Sequence, residues 1–171
     1  MKRLLRPSSR RGFTLIEVMI YCALVTVGLA TFVAVEVSAR KSVALQGAIL
    51  DVEEQSRRFL DAWRRDVEAA QSVTLKRNAK APRGVDALVV VRLDGRRVEY
   101  SLGKRVESDA KGTKLGEDRY AYLQELSFKL SKGQLEASLS ARRSLGQTNL
   151  TRTYRRVATP RAAAAVVKDA P

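Results

Sequence analysis

The sequence has no histidine and only one cysteine among its 171 residues. The absence of histidine excludes histidine general bases, histidine metal ligands and the common nucleophile-activating dyads. No glycine-rich phosphate loop, nucleophile elbow or cysteine cluster is present either. We therefore predict that the protein is not an enzyme, and we predict no catalytic residue, no cofactor and no metal ligand.

The single cysteine, Cys22, lies inside an apolar run, and the chain beyond that run has no cysteine with which to form a disulfide. Proline is absent between Phe13 and Ala81, so nothing local compels a helix to stop in this stretch. Gly28 is the only weak helix breaker inside the apolar run. We expect a long uninterrupted helix, followed by a domain that is held together by packing alone.

The apolar run carries no charged residue from Val18 to Val35, which is about the length that a helix needs to cross a membrane. Before it, residues 1–12 contain five basic residues and no acid, a pattern that keeps this flank in the cytoplasm. Without these residues the formal net charge of +14 would fall by five, to +9. We interpret residues 1–12 as a basic leader peptide and residues 13–37 as the transmembrane half of the helix.

Glu17 is a lone carboxylate at the start of the apolar run, where insertion into a bilayer carries a free-energy cost. Phe13 precedes it by about one helical turn, so the two residues share a helix face. If the chain were cut after Gly12, the new α-amino group of Phe13 would lie beside this carboxylate, within one chain or between neighbouring chains. The alternative is an interfacial glutamate whose carboxylate reaches water.

Residues 12–18, Gly-Phe-Thr-Leu-Ile-Glu-Val, resemble the cleavage and methylation motif that type IV pilins share with the pseudopilins of type II secretion. The resemblance implies that a prepilin peptidase cuts between Gly12 and Phe13 and then N-methylates Phe13. It also implies that Glu17 pairs with the amino terminus of an adjacent subunit and sets the register of a filament. The filament core would be packed from neighbouring apolar side chains, which include Leu15, Ile16, Val18 and Met19.

The same resemblance implies a single-pass protein of the bacterial inner membrane, with a cytoplasmic N-terminus and a periplasmic C-terminal domain. Its partners would be prepilin peptidase, other pilin or pseudopilin subunits and inner-membrane lipid. A competing interpretation is an ordinary export signal with a small-residue cleavage site at Val37-Ser38-Ala39. Its apolar core would be longer than such signals carry, and Gly12, Phe13 and Glu17 would have no role.

Residues 38–72 carry apolar side chains spaced by threes and fours, which predicts an amphipathic second half of the helix. Two i,i+4 pairs with the acid first, the favourable order, lie on its outer side: Glu53 with Arg57 and Glu54 with Arg58. We expect the helix to end near Ser72. The apolar positions are Leu45, Ile49, Val52, Phe59, Trp63, Val67 and Ala70, with Ser56 where one apolar residue is missing.

Residues 73–159 are predicted to form a small antiparallel β domain. A first hairpin surrounds Asp94-Gly95, the strongest short-range hairpin signal. A two-residue loop would pair Val91 with Val98 and would place Arg92 on the solvent-facing side. A second hairpin turns at Lys132-Gly133 and pairs Phe128 with Ala137, which brings the apolar side chains of both strands onto one face.

Three other segments have weaker patterns. Leu150–Val157 carries β-forming residues and arginines, which predicts an edge strand. The stretch Gly103–Arg119 is predicted to be a surface loop, because it is polar throughout. The alternative is a calcium site built from its acids, but these lack the spacing of a calcium-binding loop. Residues 160–171 are alanine-rich and are predicted to form a flexible tail.

A long N-terminal helix laid across a small antiparallel sheet is an α+β arrangement, and it is the pilin-like architecture. The segment Phe59–Ala70 followed by paired hairpins is similar to minor pseudopilins of the J type. We predict a prepilin-like structural subunit that is processed after Gly12 and incorporated as a minor component into a type IV pilus or a type II secretion pseudopilus.

Two alternative functions stay open. One is a membrane-anchored periplasmic protein that does not polymerise, and the other is a DNA-binding minor pilin that serves DNA uptake. The second would need a basic surface that neutralises the phosphates of a nucleic acid without reading its bases. The residues near Tyr154 that would supply this surface are Arg142, Arg143, Arg152, Arg155 and Arg156.

Overall fold

The chain divides into two compact units, Met1–Ala44 and Leu45–Pro171. One helix, α1 (Leu15–Glu68), begins in the first unit and ends in the second. The predicted leader and Phe13 lie outside the residues that the structure describes. The computed structural model describes residues 14–77, 86–131, 133–145, 148–160 and 165–168.

In the first unit, α1 covers the apolar run without interruption, and every described side chain is exposed. Two threonine hydroxyls are satisfied locally in this apolar surface. Thr26 Oγ1 donates to the Cys22 carbonyl and Thr31 Oγ1 donates to the Gly28 carbonyl, each at 2.8 Å. Because these hydroxyls bond to the helix backbone, they do not depend on water. The prediction of a continuous helix through Gly28 is confirmed.

In the second unit, α1 buries the predicted apolar stripe from Val52 onward. At its start the prediction is wrong, because Leu45 is 38% exposed and Ala48 is buried in place of the half-buried Ile49. Val52, Phe59, Trp63 and Val67 are fully buried, and Ser56 is buried between them as the pattern indicated. Glu54 and Arg58 form the expected i,i+4 ion pair at 2.5 Å on the exposed side, whereas Arg57 pairs with Asp61 at 3.7 Å rather than with the predicted Glu53. The helix is therefore amphipathic in this unit, with one face packed on the domain.

Strands make up most of the second unit after the helix. Among the described residues they are β1 (Ala70–Arg77), β2 (Asp86–Arg92), β3 (Arg97–Ser101), β4 (Lys104–Ser108), β5 (Lys114–Arg119), β6 (Leu123–Ser131), β7 (Gln134–Leu145), β8 (Thr148–Ala158) and β9 (Ala165–Lys168).

The helix ends at Glu68, earlier than the predicted end near Ser72. The Ala69 amide still donates to the Arg65 carbonyl at 3.1 Å, and β1 begins at the next residue. Strand β1 pairs with β2 and places Val73 in the core. Residues 70–72 therefore join the sheet, because ladder hydrogen bonds and a buried β-branched neighbour outweigh continuation of the helix.

Two sheets form the β part of this unit. A six-stranded sheet has the order β5-β4-β3-β2-β1-β9, and a three-stranded sheet has the order β6-β7-β8. All pairs are antiparallel except β1 with β9, which is parallel. Strand β9 lies in the stretch predicted as a flexible tail, so residues 165–168 correct that prediction. The α+β pilin-like fold class is confirmed, with two sheets where one was expected.

The β2–β3 hairpin differs by one residue from the predicted register. Val90, rather than its neighbour, pairs with Val98. The Arg92 amide donates to the Arg96 carbonyl at 2.8 Å, so the loop contains three residues. Gly95 is the last of these residues and adopts a φ of 78°, the left-handed conformation that closes such a loop. The Asp94-Gly95 signal located the hairpin correctly but selected the wrong loop length.

A slip of one residue exchanges the two faces of a strand. Leu88 and Val90 of β2 are therefore fully buried beneath the helix. Arg92 lies on the same side of β2, where its guanidinium approaches residues of α1. The prediction that Arg92 faces solvent is wrong for this reason.

The stretch predicted as a surface loop forms the β4–β5 hairpin instead. Asp109 organises its turn, because one carboxylate oxygen accepts hydrogen bonds from the Lys111 and Thr113 amides at 2.9 and 2.7 Å. Charged side chains dominate both strands, so no alternation of apolar and polar residues marks them in the sequence. Their position at the edge of the six-stranded sheet explains this composition.

The β6–β7 hairpin has the predicted register, with Phe128 opposite Ala137 and Leu126 opposite Leu139. These four side chains are buried. Strand β8 pairs with β7 alone, which confirms the predicted edge strand.

Aromatic residues of the helix join it to both sheets. The Phe59 ring meets Tyr100 and Tyr120 edge-to-face, with centroids 5.6 and 5.1 Å apart. The Trp63 ring stacks on Phe128, with centroids 6.3 Å apart. Such pairs add to the free energy of burying the rings. They fix the end of α1 against the strands that carry the polar groups described next.

Candidate functional site

Thr14 and Glu17 form a reciprocal cap at the start of α1. The Thr14 amide and hydroxyl donate to Glu17 Oε2 at 2.9 and 3.0 Å. The Glu17 amide donates back to Thr14 Oγ1 at 3.3 Å. This arrangement is a capping box, in which a threonine and a glutamate three residues later satisfy each other's free amides. Sequence reasoning missed the role of Thr14, although the Thr-x-x-Glu spacing was a usable signal.

The other residues predicted for this site stand differently in the structure. Gly12 and Phe13 lie outside the described residues, so the predicted cleavage point and methylated residue stay predictions. Glu17 is exposed in the first turn of α1. The four residues predicted to pack a filament core are also exposed in the isolated chain: Leu15, Ile16, Val18 and Met19.

The apolar part of α1 is long and hydrophobic enough to cross a membrane, and no residue of its membrane-length hydrophobic stretch is buried. Burial of such a surface in water-free surroundings is the main favourable term available to it. The free Cys22 thiol is exposed on this surface. Together with the motif at its start, this helix indicates a single-pass membrane-anchored protein.

A second polar cluster is buried beneath the end of α1. The Asp66 carboxylate accepts a 2.5 Å hydrogen bond from the Tyr100 hydroxyl and a 2.9 Å bond from Arg105 Nε. The side chain of Asp66 is only 5% exposed. Burial, followed by the neighbouring carboxylate, raises the pKa of Tyr100 far above its ordinary value. A buried carboxylate needs such partners, because an unpaired charge in the interior is costly.

Sequence reasoning missed this cluster as well. Asp66 lies seven residues after Phe59 and three after Trp63, so it occupies a position of the buried stripe. A carboxylate at a stripe position indicates a buried group that requires a cationic partner. Its partner Arg105 was unpredictable, because the residues around it were interpreted as a loop.

The five arginines predicted as a phosphate-binding patch do not share one surface. Cross-strand pairing places Arg152 beside Ala141 and Arg156 beside Ala137, on the face whose β7 residues are buried. It places Arg155 beside Ser138, on the opposite face. Because the residues are divided between two faces, the sheet does not supply the single basic patch expected from the sequence.

Two of these arginines are also occupied by acids of α1. Arg143 bonds to Asp51 and lies over the ring of Tyr122, and Arg156 NH1 donates to Asp61 at 2.5 Å. These ion pairs join the three-stranded sheet to the helix. The charges of Arg143 and Arg156 are therefore paired within the second unit.

Within the part of the chain that the structure describes, no three histidine, cysteine or acidic side chains are arranged so that they could hold a metal ion. The acids of the β4–β5 hairpin are instead used in turn hydrogen bonds and ion pairs. Glu117 contacts both Lys114 and Arg119, and these hydrogen bonds lower its pKa to about 2. The hairpin thus uses its charges to stabilise an exposed edge.

Comparison with known families gives a match at the start of the chain. Residues 7–33 match the family model of the prokaryotic N-terminal methylation motif. No curated protein and no solved structure matches the chain significantly. The matched motif is the signature of type IV pilins and pseudopilins, a family of structural subunits and not of enzymes. The chain therefore carries the signature of a prepilin-like precursor, for which processing by prepilin peptidase and assembly with other pilin subunits are implied.

Proposed function

We propose that the protein is a structural subunit that is cut after Gly12, N-methylated on Phe13 and incorporated into a filament of the type IV pilus or pseudopilus kind. The matched methylation motif supports this proposal, because the match over residues 7–33 includes Gly12, Phe13 and the start of α1. The exposed apolar surface that follows supports it. That surface is held by inner-membrane lipid before assembly and by neighbouring helices afterwards.

The geometry of Glu17 suits a role in pairing subunits. Its Oε2 atom accepts both hydrogen bonds from Thr14, whereas its Oε1 atom accepts none from the described residues. One carboxylate oxygen is therefore available for the amino group of Phe13 in an adjacent subunit. An ammonium–carboxylate pair in an apolar filament core would fix the axial register, because a shifted register would leave a charge unpaired.

The sequence of the second unit supports a minor position in the filament. The resemblance of Phe59–Ala70 and the hairpins to J-type pseudopilins supports a minor subunit of a type II secretion pseudopilus. The two sheets would then contact other minor subunits, with the C-terminal unit in the periplasm. A minor position of this kind would specify where the processed subunit stands in the filament.

Expression of the chain with and without a prepilin peptidase tests the proposal. We expect the peptidase to shorten the wild-type chain by its 12-residue leader, and the variant Gly12→Leu to stay at full length. Gly28→Leu is a matched control, because it makes the same substitution beyond the proposed cleavage point, at a glycine with open space around it. A wild-type chain that stays intact beside an active peptidase would contradict the proposal.

A further inference from the structure

A polar cleft of about 950 Å³ opens beside the buried Asp66 cluster. One wall is the last part of α1, from Gln55 to Asp66, and the other wall consists of residues of β2, β4 and β5 with Tyr120. This volume is at the upper end of the range for pockets that enclose ligands. Five guanidinium groups line the cleft, those of Arg58, Arg65, Arg92, Arg105 and Arg119.

Three of these guanidinium groups are occupied by carboxylates. Arg105 donates to Asp66, to Asp118 at 3.0 Å and to Glu107 at 3.3 Å. Arg119 is held by a carboxylate of its own strand at 2.5 Å, and Arg58 by one on α1 at 2.5 Å. Arg105 donates to three carboxylates and has little donor capacity left for a ligand. Arg58 and Arg119 keep other donors, but their side chains are 66% and 75% exposed and lie at the outer parts of the cleft walls in solvent-screened pairs.

The other two guanidinium groups have unused donors. Arg92 is 29% exposed, and its nearest carboxylate contacts are 3.7 Å to Asp66 and 3.6 Å to Glu107, beyond hydrogen-bonding distance. Arg65 donates only to the Asp61 backbone carbonyl, at 3.3 Å, and forms no ion pair with any described residue. A half-buried guanidinium and an exposed one thus present free N–H groups to the same cleft.

We propose that this cleft binds an acidic segment of a partner protein, with a carboxylate of that segment received by Arg65 and Arg92. Guanidinium groups match carboxylates in geometry and form charge-assisted hydrogen bonds that are stronger than neutral ones. The carboxylates of Asp61, Glu117 and Asp118 also line the cleft. They repel a continuous polyanion such as a nucleic acid, whereas a peptide can place single carboxylates between them. The proposal concerns the second unit alone and does not depend on cleavage after Gly12.

Calorimetric titration of the full chain in detergent micelles tests this site. The probe is the peptide Gly-Ser-Glu-Ser-Glu-Gly, and its glutamine counterpart is the uncharged reference. We expect the glutamate peptide to bind and the glutamine peptide not to bind. Arg65→Gln/Arg92→Gln should weaken the glutamate peptide at least about tenfold, since each lost charge-assisted bond is worth more than a neutral one.

The matched control is Arg152→Gln/Arg155→Gln, which removes the same charge from exposed positions of β8. The affinity of this control variant for the glutamate peptide should stay within about twofold of wild type, because neither residue lines the cleft. Arg65→Gln alone, at an exposed position, keeps the test valid if loss of Arg92 disturbs folding, and it should weaken binding by itself. If both double variants lost the same affinity for the glutamate peptide, binding would depend on net charge alone, and the proposed site would be wrong. Displacement of the peptide by equimolar inorganic phosphate, or no binding of the glutamate peptide, would also overturn it.

Discussion

The side chains of Thr14 and Glu17 cap helix α1 reciprocally, with hydrogen bonds of 2.9 to 3.3 Å between each side chain and the other residue. The carboxylate that suggested a filament contact from sequence alone therefore has a partner in its own chain. This contact lowers the cost of keeping a charge at the start of an apolar helix before any assembly occurs. It also defines where the helix begins, directly after the proposed cleavage point.

Thr14→Ala should loosen the first turn of α1. The substitution removes the hydroxyl that accepts from the Glu17 amide, and loss of such a cap costs about 1 kcal/mol. Amide hydrogen exchange of the full chain in micelles should show faster exchange at residues 15–18. Thr14→Ser keeps the hydroxyl and should exchange like wild type, and Thr26→Ala should leave this turn unchanged. Equal protection in Thr14→Ala and wild type would show that the cap contributes nothing.

Glu17→Ala should allow cleavage but impair incorporation into filaments. Without the carboxylate, an incoming subunit has no partner for the amino group of Phe13, so the mature chain should accumulate in the membrane fraction. The control Glu36→Gln removes the other acid of this helical segment, which forms an exposed pair with Arg40 at 2.5 Å. The ratio of filament to membrane protein measures the effect. Normal incorporation of Glu17→Ala would remove the pairing role.

Asp66→Ala should destabilise the second unit by about 3–5 kcal/mol, because it leaves the Arg105 guanidinium without its buried partner. Asp61→Ala is a matched control on the same helix. Asp61 is 40% exposed, so loss of its pairs should cost about 1 kcal/mol or less. Urea unfolding followed by fluorescence of Trp63, the only tryptophan, measures both changes. Similar losses in the two variants would contradict a special role for the buried cluster.

The same cluster predicts how stability depends on alkaline pH. The pKa of Tyr100 is raised in the folded chain, chiefly by burial and then by Asp66. The contribution of the protonated Tyr100 hydroxyl to the free energy of unfolding is fully present below the unfolded-state pKa of about 10. It is lost as the pH rises above that value toward the folded-state pKa.

Tyr100→Phe should therefore show a smaller loss of unfolding free energy above pH 10 than wild type, as measured by urea unfolding at a series of pH values. Ultraviolet titration of tyrosinate should show the matching effect. One tyrosine of the wild type should ionise only when the chain unfolds, and that late step should be missing in Tyr100→Phe. Identical slopes in the two proteins would contradict the pKa shift.

Parts of the fold with a strong apolar period were predictable from the sequence. The stripe of α1 and the register around Phe128 and Ala137 both follow from side chains that must share a buried face. The β4–β5 hairpin was missed because an edge hairpin stabilised by ion pairs has no apolar period. The register predicted for β2 was wrong by one residue, because Asp94-Gly95 is compatible with a hairpin loop of two residues and with one of three.

The candidate sites were likewise predictable only where the sequence signal is local. Glu17 was identified because a charge in an apolar run stands out locally. The capping role of Thr14 was equally local but was overlooked. The bond from Arg105 to Asp66 joins residues 39 positions apart in the chain, and only the paired strands of the larger sheet bring them together. The stripe position of Asp66 indicates that this carboxylate is buried, but the order of the residues does not reveal which arginine is its partner.

The most direct measurement is the intact mass and first residue of the native protein, isolated from the membranes of cells with an active prepilin peptidase. The account predicts a chain that begins at N-methylated phenylalanine 13 and lacks residues 1–12. A native chain that still begins at Met1 in those cells, or one that begins at Arg40 as ordinary export would leave it, would contradict the account.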